Sequence, residues 1–379
     1  MANETRILDV DGLQALVQVL RDRGFTVIGP TVRDGAIVNA PITHVDQLPR
    51  GVGDEQDAAH YRLTERDDDA FFGFAAGAQS MKPVLFPANE LIWKGKRDDS
   101  GSFTVERDTK PDDAPYALLG VRGCDIAAIL IQDQVFTSRG FVDAHYQERR
   151  KESFIVGATC GTPSGTCFCA SVKTGPKAKE GYDLNLTEVV ESTNHTFVVE
   201  VGSDRGKDVM DAVDAAVATA AQQKAADKIV AEAAKNMGRE LDTDGLKYLM
   251  YANTESPHWD DVASRCLACT NCTLVCPTCF CTSVEDVSSL TGEEAERHRV
   301  WDSCFSEEFS YIHGGSVRES VRSRYRQWIT HKLAAWEDQF GMTGCVGCGR
   351  CVTWCPAGID ITAEAAALRG APSPSTTRT

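Results

Sequence analysis

Apolar and polar positions follow two different periods along the first part of the chain. In "DGLQALVQVLRDRG" the apolar residues fall at helical spacing, and Gly24 offers a stop at its end. "FTVIGP" follows directly and reads as a strand. "AIVNAPI", "YALLGV", "SFIVGAT" and "TFVVEV" repeat that short apolar pattern, each bounded by Gly, Pro, Asp or Ser. The alternation predicts an α/β domain over residues 1–205. The acidic stretch "RDDDA" around Asp67 reads as a solvated loop. From Gly206 to Met237 the chain is alanine-rich, with Val209, Val213 and Val217 at four-residue intervals. This predicts a packing helix within a helical connection over 206–255. Residues 366–379, ending "GAPSPSTTRT", have the composition of a disordered tail.

Composition changes the picture between 256 and 365. Eleven of the fifteen cysteines lie between Cys266 and Cys355. The N-terminus has no basic start followed by an apolar run, and the most apolar stretch is broken by Arg122 and Asp125, so neither a signal peptide nor a membrane span is expected. The expected location is therefore cytoplasmic, where cysteines serve as metal ligands or redox groups rather than disulfides. A net charge of −16 argues against nucleic acid as a partner.

The spacing of those cysteines is the strongest signal. Cys266, Cys269, Cys272 and Cys276-Pro277 follow C-x2-C-x2-C-x3-C-P, and Cys345, Cys348, Cys351 and Cys355-Pro356 repeat it. Three cysteines at intervals of three wrap a loop around one cubane, while the fourth leads away and ligates the other. The expectation is two [4Fe–4S] clusters with crossed ligands: Cys266, Cys269, Cys272 and Cys355 for the first, Cys345, Cys348, Cys351 and Cys276 for the second. Structural zinc is the competing reading, but it favours separated C-x2-C pairs. The segment 256–365 is thus expected to be an α+β, mostly helical, ferredoxin-like domain. It carries a long insertion, 282–340, because sixty-eight residues separate Cys276 from Cys345.

Within that insertion Arg318, Arg322, Arg324, Arg326, His331 and Lys332 form a basic run interleaved with Tyr325 and Trp328. It reads either as a solvated helix face or as a docking surface for an acidic partner.

A third cluster is expected in the N-terminal domain, on Cys124, Cys160, Cys167 and Cys169. Cys124 follows one predicted strand and starts a helix, and Cys160 follows another strand. If those strands are parallel neighbours, both thiols emerge at the same carboxyl edge, and the loop "GTPSGTCFC" returns Cys167 and Cys169 there. The competing reading is four buried small side chains. Cys279, Cys281 and Cys304 make only three thiols and are left as non-ligands.

Taken in order, "VRGCD", "ATCGTPSGTCFC", "CLACTNCTLVCPTCFC", "VWDSCF" and "CVGCGRCVTWCP" resemble the β subunit of soluble NAD(P)-linked [NiFe]-hydrogenases, or sulfhydrogenases. The electron-transfer subunit of anaerobic sulfite reductase shares the layout. The resemblance covers roughly residues 80 to 360. It implies a non-catalytic electron-transfer subunit with an FAD/NAD(P)-binding subunit and [NiFe]-hydrogenase large and small subunits as partners. No G-x-G-x-x-G after a strand and no Walker loop occurs in the chain. The alternatives are the sulfite reductase subunit and a cluster-bearing assembly scaffold.

Overall fold

A computed structural model describes residues 5–106, 115–138, 140–191 and 194–370. Its main element is an eight-stranded mixed sheet. The strand order is Ala216–Val217, Thr5–Leu8, Asn194–Val201, Leu184–Glu191, Phe154–Ala158, Tyr116–Val121, Thr26–Arg33 and Ala36–Pro41. Leu184–Glu191, Phe154–Ala158, Tyr116–Val121 and Thr26–Arg33 run parallel to one another in this series. Phe154–Ala158 and Tyr116–Val121 read as nearly continuous apolar runs because helices and loops cover both faces. On one face Leu13, Leu16, Val17 and Leu20 of the helix Val10–Asp22 pack against Phe154, Val156, Leu184 and Phe197. On the other, Ile126 and Ile129 of the helix Gly123–Thr137 pack against Leu118 and Ile155.

The alanine-rich segment is not one helix. Ser203 caps the helix Asp204–Val213, and Asp214 ends it in the left-handed conformation (φ 57°). The chain then adds the edge strand Ala216–Val217, where Val217 is 65% exposed. Thr219 and Gln222 form a capping box that restarts a helix over Ala220–Lys235. The four-residue valine spacing is therefore coincidental beyond Val213. The last helix, Ile361–Gly370, continues into the segment read as tail, because Ala365 and Leu368 are buried in the core. Residues 371–379 lie outside the described residues.

The segment between the two cysteine sets is tied to both halves of the molecule. Its hairpin, Thr282–Ser288 with Glu294–Trp301, pairs with Asn89–Arg97 and Phe103–Glu106 in a four-stranded sheet. Arg299 in this hairpin forms ion pairs with Glu90 and Asp143. The helix Val321–Thr330 then enters a second core with Trp259, Leu246, Met250 and Phe168. That placement takes half of the basic run out of any docking surface. Tyr325 and Trp328 are core residues, and Arg324 and Lys332 are buried. Arg322 and Arg326 are engaged within the chain, by Asp260 at 3.1 Å and Glu255 at 2.9 Å. No described helix is long and apolar enough to cross a membrane.

Candidate metal centres

The two cysteine sets fold into the same loop. Ala268 and Thr270 have φ of 49° and 68°, and Gly347 and Gly349, at the matching places of the second set, have 63° and 76°. Left-handed backbone at both places turns the chain tightly between thiols, which the three-residue spacing requires. The second set needs glycine there for a further reason. A Cβ on Gly347 would lie 2.6 Å from the Cys169 nitrogen, and one on Gly349 would lie 2.5 Å from the Thr166 carbonyl.

Cys266, Cys269, Cys272 and Cys355 line one cavity, walled by Phe305, Tyr325, Trp328 and Ile359 and reached also by Cys351 of the second set. Two backbone amides point at its sulfurs: Ala268 N donates to Cys266 Sγ and Ile359 N to Cys355 Sγ, both at 3.4 Å. The Tyr325 hydroxyl and Trp328 Nε1 are buried without a hydrogen-bond partner among the described residues. Buried donors of this kind call for an acceptor. A sulfide-bearing group in the cavity their side chains line fits that need, and so does the all-sulfur donor set.

Cys276 does not join that cavity. It lies among Cys345, Cys348 and Cys351, each of which feels its charge. Burial pushes the Cys345 thiol up to about 12, and Cys348 and Cys351 are raised for the same reason. Cys276 goes the other way: a hydrogen bond from Cys279, helped by the Lys332 ammonium, holds it well below the usual thiol range. Lys332 Nζ donates to Cys276 Sγ at 3.2 Å, to Thr278 Oγ1 at 3.0 Å and to the Gly344 carbonyl at 3.2 Å.

The four N-terminal thiols are all buried. The strands before Cys124 and Cys160 are parallel neighbours, so both cysteines leave the sheet at one edge. Cys124 sits in the first turn of the helix Gly123–Thr137. Cys169 lies near Cys160 and Cys167, and Cys124 near Cys169. Burial raises Cys167 to about 11 and pushes Cys124 and Cys169 further up. This group abuts the second cysteine loop: Phe168 N donates to the Gly347 carbonyl at 2.8 Å, and both Cys124 and Cys169 feel Cys348.

Holding the two loops together is an ion pair that the sequence does not announce. Arg350 donates to both carboxylate oxygens of Asp125, at 2.6 and 2.8 Å, and to the Gly77 carbonyl at 2.6 Å. Both residues are almost fully buried. Cys279 and Cys281, two of the three thiols left over, are hydrogen-bonded to Cys276 and Cys304 respectively, and the second of these bonds holds Cys281 at about 7. Among the described residues, no three His, Cys, Asp or Glu side chains gather closely enough to share one metal ion.

Residues 265–359 match the family described as a 4Fe-4S dicluster domain. The Sulfhydrogenase 2 subunit beta of Pyrococcus furiosus is 35% identical over 256 residues, covering 65% of this chain and 72% of that protein. The chain belongs to the family of sulfhydrogenase β subunits. No solved structure matches it. As a sulfhydrogenase-type β subunit it is an iron–sulfur electron-transfer protein. The matched segment takes in all eight cysteines of the repeated motif, whereas Cys124, Cys160, Cys167 and Cys169 lie before it.

Proposed function

We propose that this chain is the iron–sulfur subunit of a multi-subunit [NiFe]-hydrogenase, relaying electrons between an FAD/NAD(P)-binding subunit and the hydrogenase large and small subunits. Cys266, Cys269, Cys272 and Cys355 would hold one [4Fe–4S] cluster, and Cys345, Cys348, Cys351 and Cys276 a second. Cys124, Cys160, Cys167 and Cys169 would hold a third. Such clusters supply one-electron uptake and release at potentials set by ligand charge, hydrogen bonds and burial. The observation that carries the reading is the placement of Cys355 in the cavity of the first set, with Cys276 among the thiols of the second.

The protein's own contribution is placement and exclusion of water. The thiol sets lie in series: the N-terminal group borders Cys348, and Cys351 and Cys276 border Cys272. Apolar walls around the first cavity and burial of the second set keep the dielectric low, which strengthens every charge and hydrogen bond acting there. Cys269 and Leu267 are exposed at the far end of the series, where a partner could approach the first set.

The crossed assignment has a direct test. Cys276→Ser is expected to perturb the signals of the cluster held by Cys345, Cys348 and Cys351, not the one nearest in sequence. In EPR of the reduced protein the magnetic coupling between the two should weaken or vanish. An unchanged coupled spectrum would overturn the assignment.

A further inference from the structure

The two dicluster sites have the same loop and the same number of thiols, but their electrostatic surroundings differ. Around Cys266, Cys269, Cys272 and Cys355 two backbone amides donate to sulfur, and the walls are aromatic and aliphatic. Arg324 lies beyond Cys266 without a hydrogen bond to it among the described residues. Around Cys276 two lysines are buried. Lys332 is 5% exposed and donates directly to Cys276 Sγ. Lys82 is 4% exposed, and its Nζ donates to the carbonyls of Leu274, Cys276 and Cys279 at 3.3, 2.9 and 3.4 Å. The same Nζ stands 3.8 Å from the centroid of the Trp301 ring.

A buried ammonium is costly to place, and each of these two is surrounded by acceptors that match its three N–H bonds. Neither forms an ion pair with a carboxylate among the described residues, so their charge is not cancelled locally as that of Arg350 is by Asp125. Lys332 follows the buried Trp328 and Ile329 by four and three residues, on the inward face of its helix, and His331–Ala335 is a π-helical turn inside the helical run from Val321 to Phe340. π-Turns shift the register of the following side chains and recur at functional sites.

We infer that Lys332, backed by Lys82, is a fixed positive charge that makes the cluster on Cys276, Cys345, Cys348 and Cys351 easier to reduce than the one on Cys266, Cys269, Cys272 and Cys355. Gaining an electron adds one negative charge to a thiolate-ligated centre. A cation hydrogen-bonded to one of its thiolates stabilises that reduced form more than the oxidised form. The step exchanges one electron, lost by one centre and gained by the other, with no bond made or broken. An electron shared by the pair then rests on the inner centre, next to the Cys124–Cys169 group, rather than on the outer one beside exposed Cys269. Lys332 is a positioning residue in this sense, acting on the thiolate and not on a substrate.

The inference rests on the crossed ligand assignment, and its test separates the two. Full-length Lys332→Met and Lys332→Gln, prepared anaerobically, would be titrated with dithionite and followed by EPR beside the parent and Lys332→Arg. In both neutral variants the reduction equilibrium constant of the inner centre is expected to fall at least about tenfold, which is about 59 mV for one electron. The outer centre should move much less, and Lys332→Arg should stay near the parent. The shift should persist at high salt, because a buried charge is poorly screened. Iron content and spin coupling equal to the parent's, with both potentials unmoved, would sink the tuning role while leaving the ligand assignment standing. Loss of iron in both neutral variants would make Lys332 a structural prop and overturn the inference equally. If the coupling in the parent survives Cys276→Ser, the ligand assignment itself fails.

Discussion

A chain carrying Cys167→Ala and Cys169→Ala is expected to bind about eight irons where the parent binds about twelve, four per cubane. Both thiols belong to the buried group at the carboxyl edge of the parallel strands, where Cys169 lies near Cys160, Cys167 and Cys124. Alanine removes two sulfurs at the "TCFC" turn, and the remaining pair, Cys124 and Cys160, cannot hold a cubane. The signals of the two clusters on the repeated motif should remain, because their eight cysteines are untouched. Iron quantitation with EPR of the anaerobically prepared protein reads both outcomes. A parent count near eight, unchanged in the variant, would return these four cysteines to ordinary packing.

The second large effect is on stability. Asp125→Asn leaves the Arg350 guanidinium buried with its charge uncompensated. Removing one member of such a pair costs about 3–5 kcal/mol. The loss should appear as a lowered denaturation midpoint of the full chain. It should also loosen the Cys345–Cys351 loop, since Arg350 lies between Cys348 and Cys351. Combining Asp125→Asn with Arg350→Met should restore part of the loss, because the orphaned charge is gone. A single variant within about 1 kcal/mol of the parent, the range of exposed ion pairs, would show that the pair is not a clamp.

Much of the candidate site was legible because its chemistry is written locally. The C-x2-C-x2-C-x3-C-P spacing is a property of one loop, and that loop recurs with left-handed backbone at the same two places. The carboxyl-edge position of Cys124 and Cys160 followed from two short apolar runs, and those runs do pair in parallel. What escaped depends on partners far apart in the chain, which leave no periodic mark. Arg350 and Asp125 are 225 residues apart, and Lys82 meets the Cys276 carbonyl across 194. Lys332 looked like one more exposed cation on a basic helix. The packing of Tyr325, Trp328 and Ile329, whose helical spacing Lys332 continues, turns that face inward. The break after Val213 was missed because alanine favours helix on both sides of it, whereas the stop comes from Asp214 and the restart from Thr219.

The proposed crossing of the fourth cysteines carries a consequence for how the protein is made. While the chain emerges from the ribosome, Cys266, Cys269 and Cys272 appear long before Cys355, the thiol that lines the same cavity. Cys276 likewise waits for Cys345, Cys348 and Cys351, and the Cys124–Cys169 group waits for the Gly347 loop that seals it. Each proposed site is therefore short of a ligand or a lid until the segment Cys345–Cys355 has been translated. Iron delivered early would meet open, hydrolysable thiolate sites. On the proposed ligand sets, loading follows emergence of the Cys345–Cys355 segment. A message truncated before Cys345 would yield a chain that keeps eleven of the fifteen cysteines yet completes neither ferredoxin-type site.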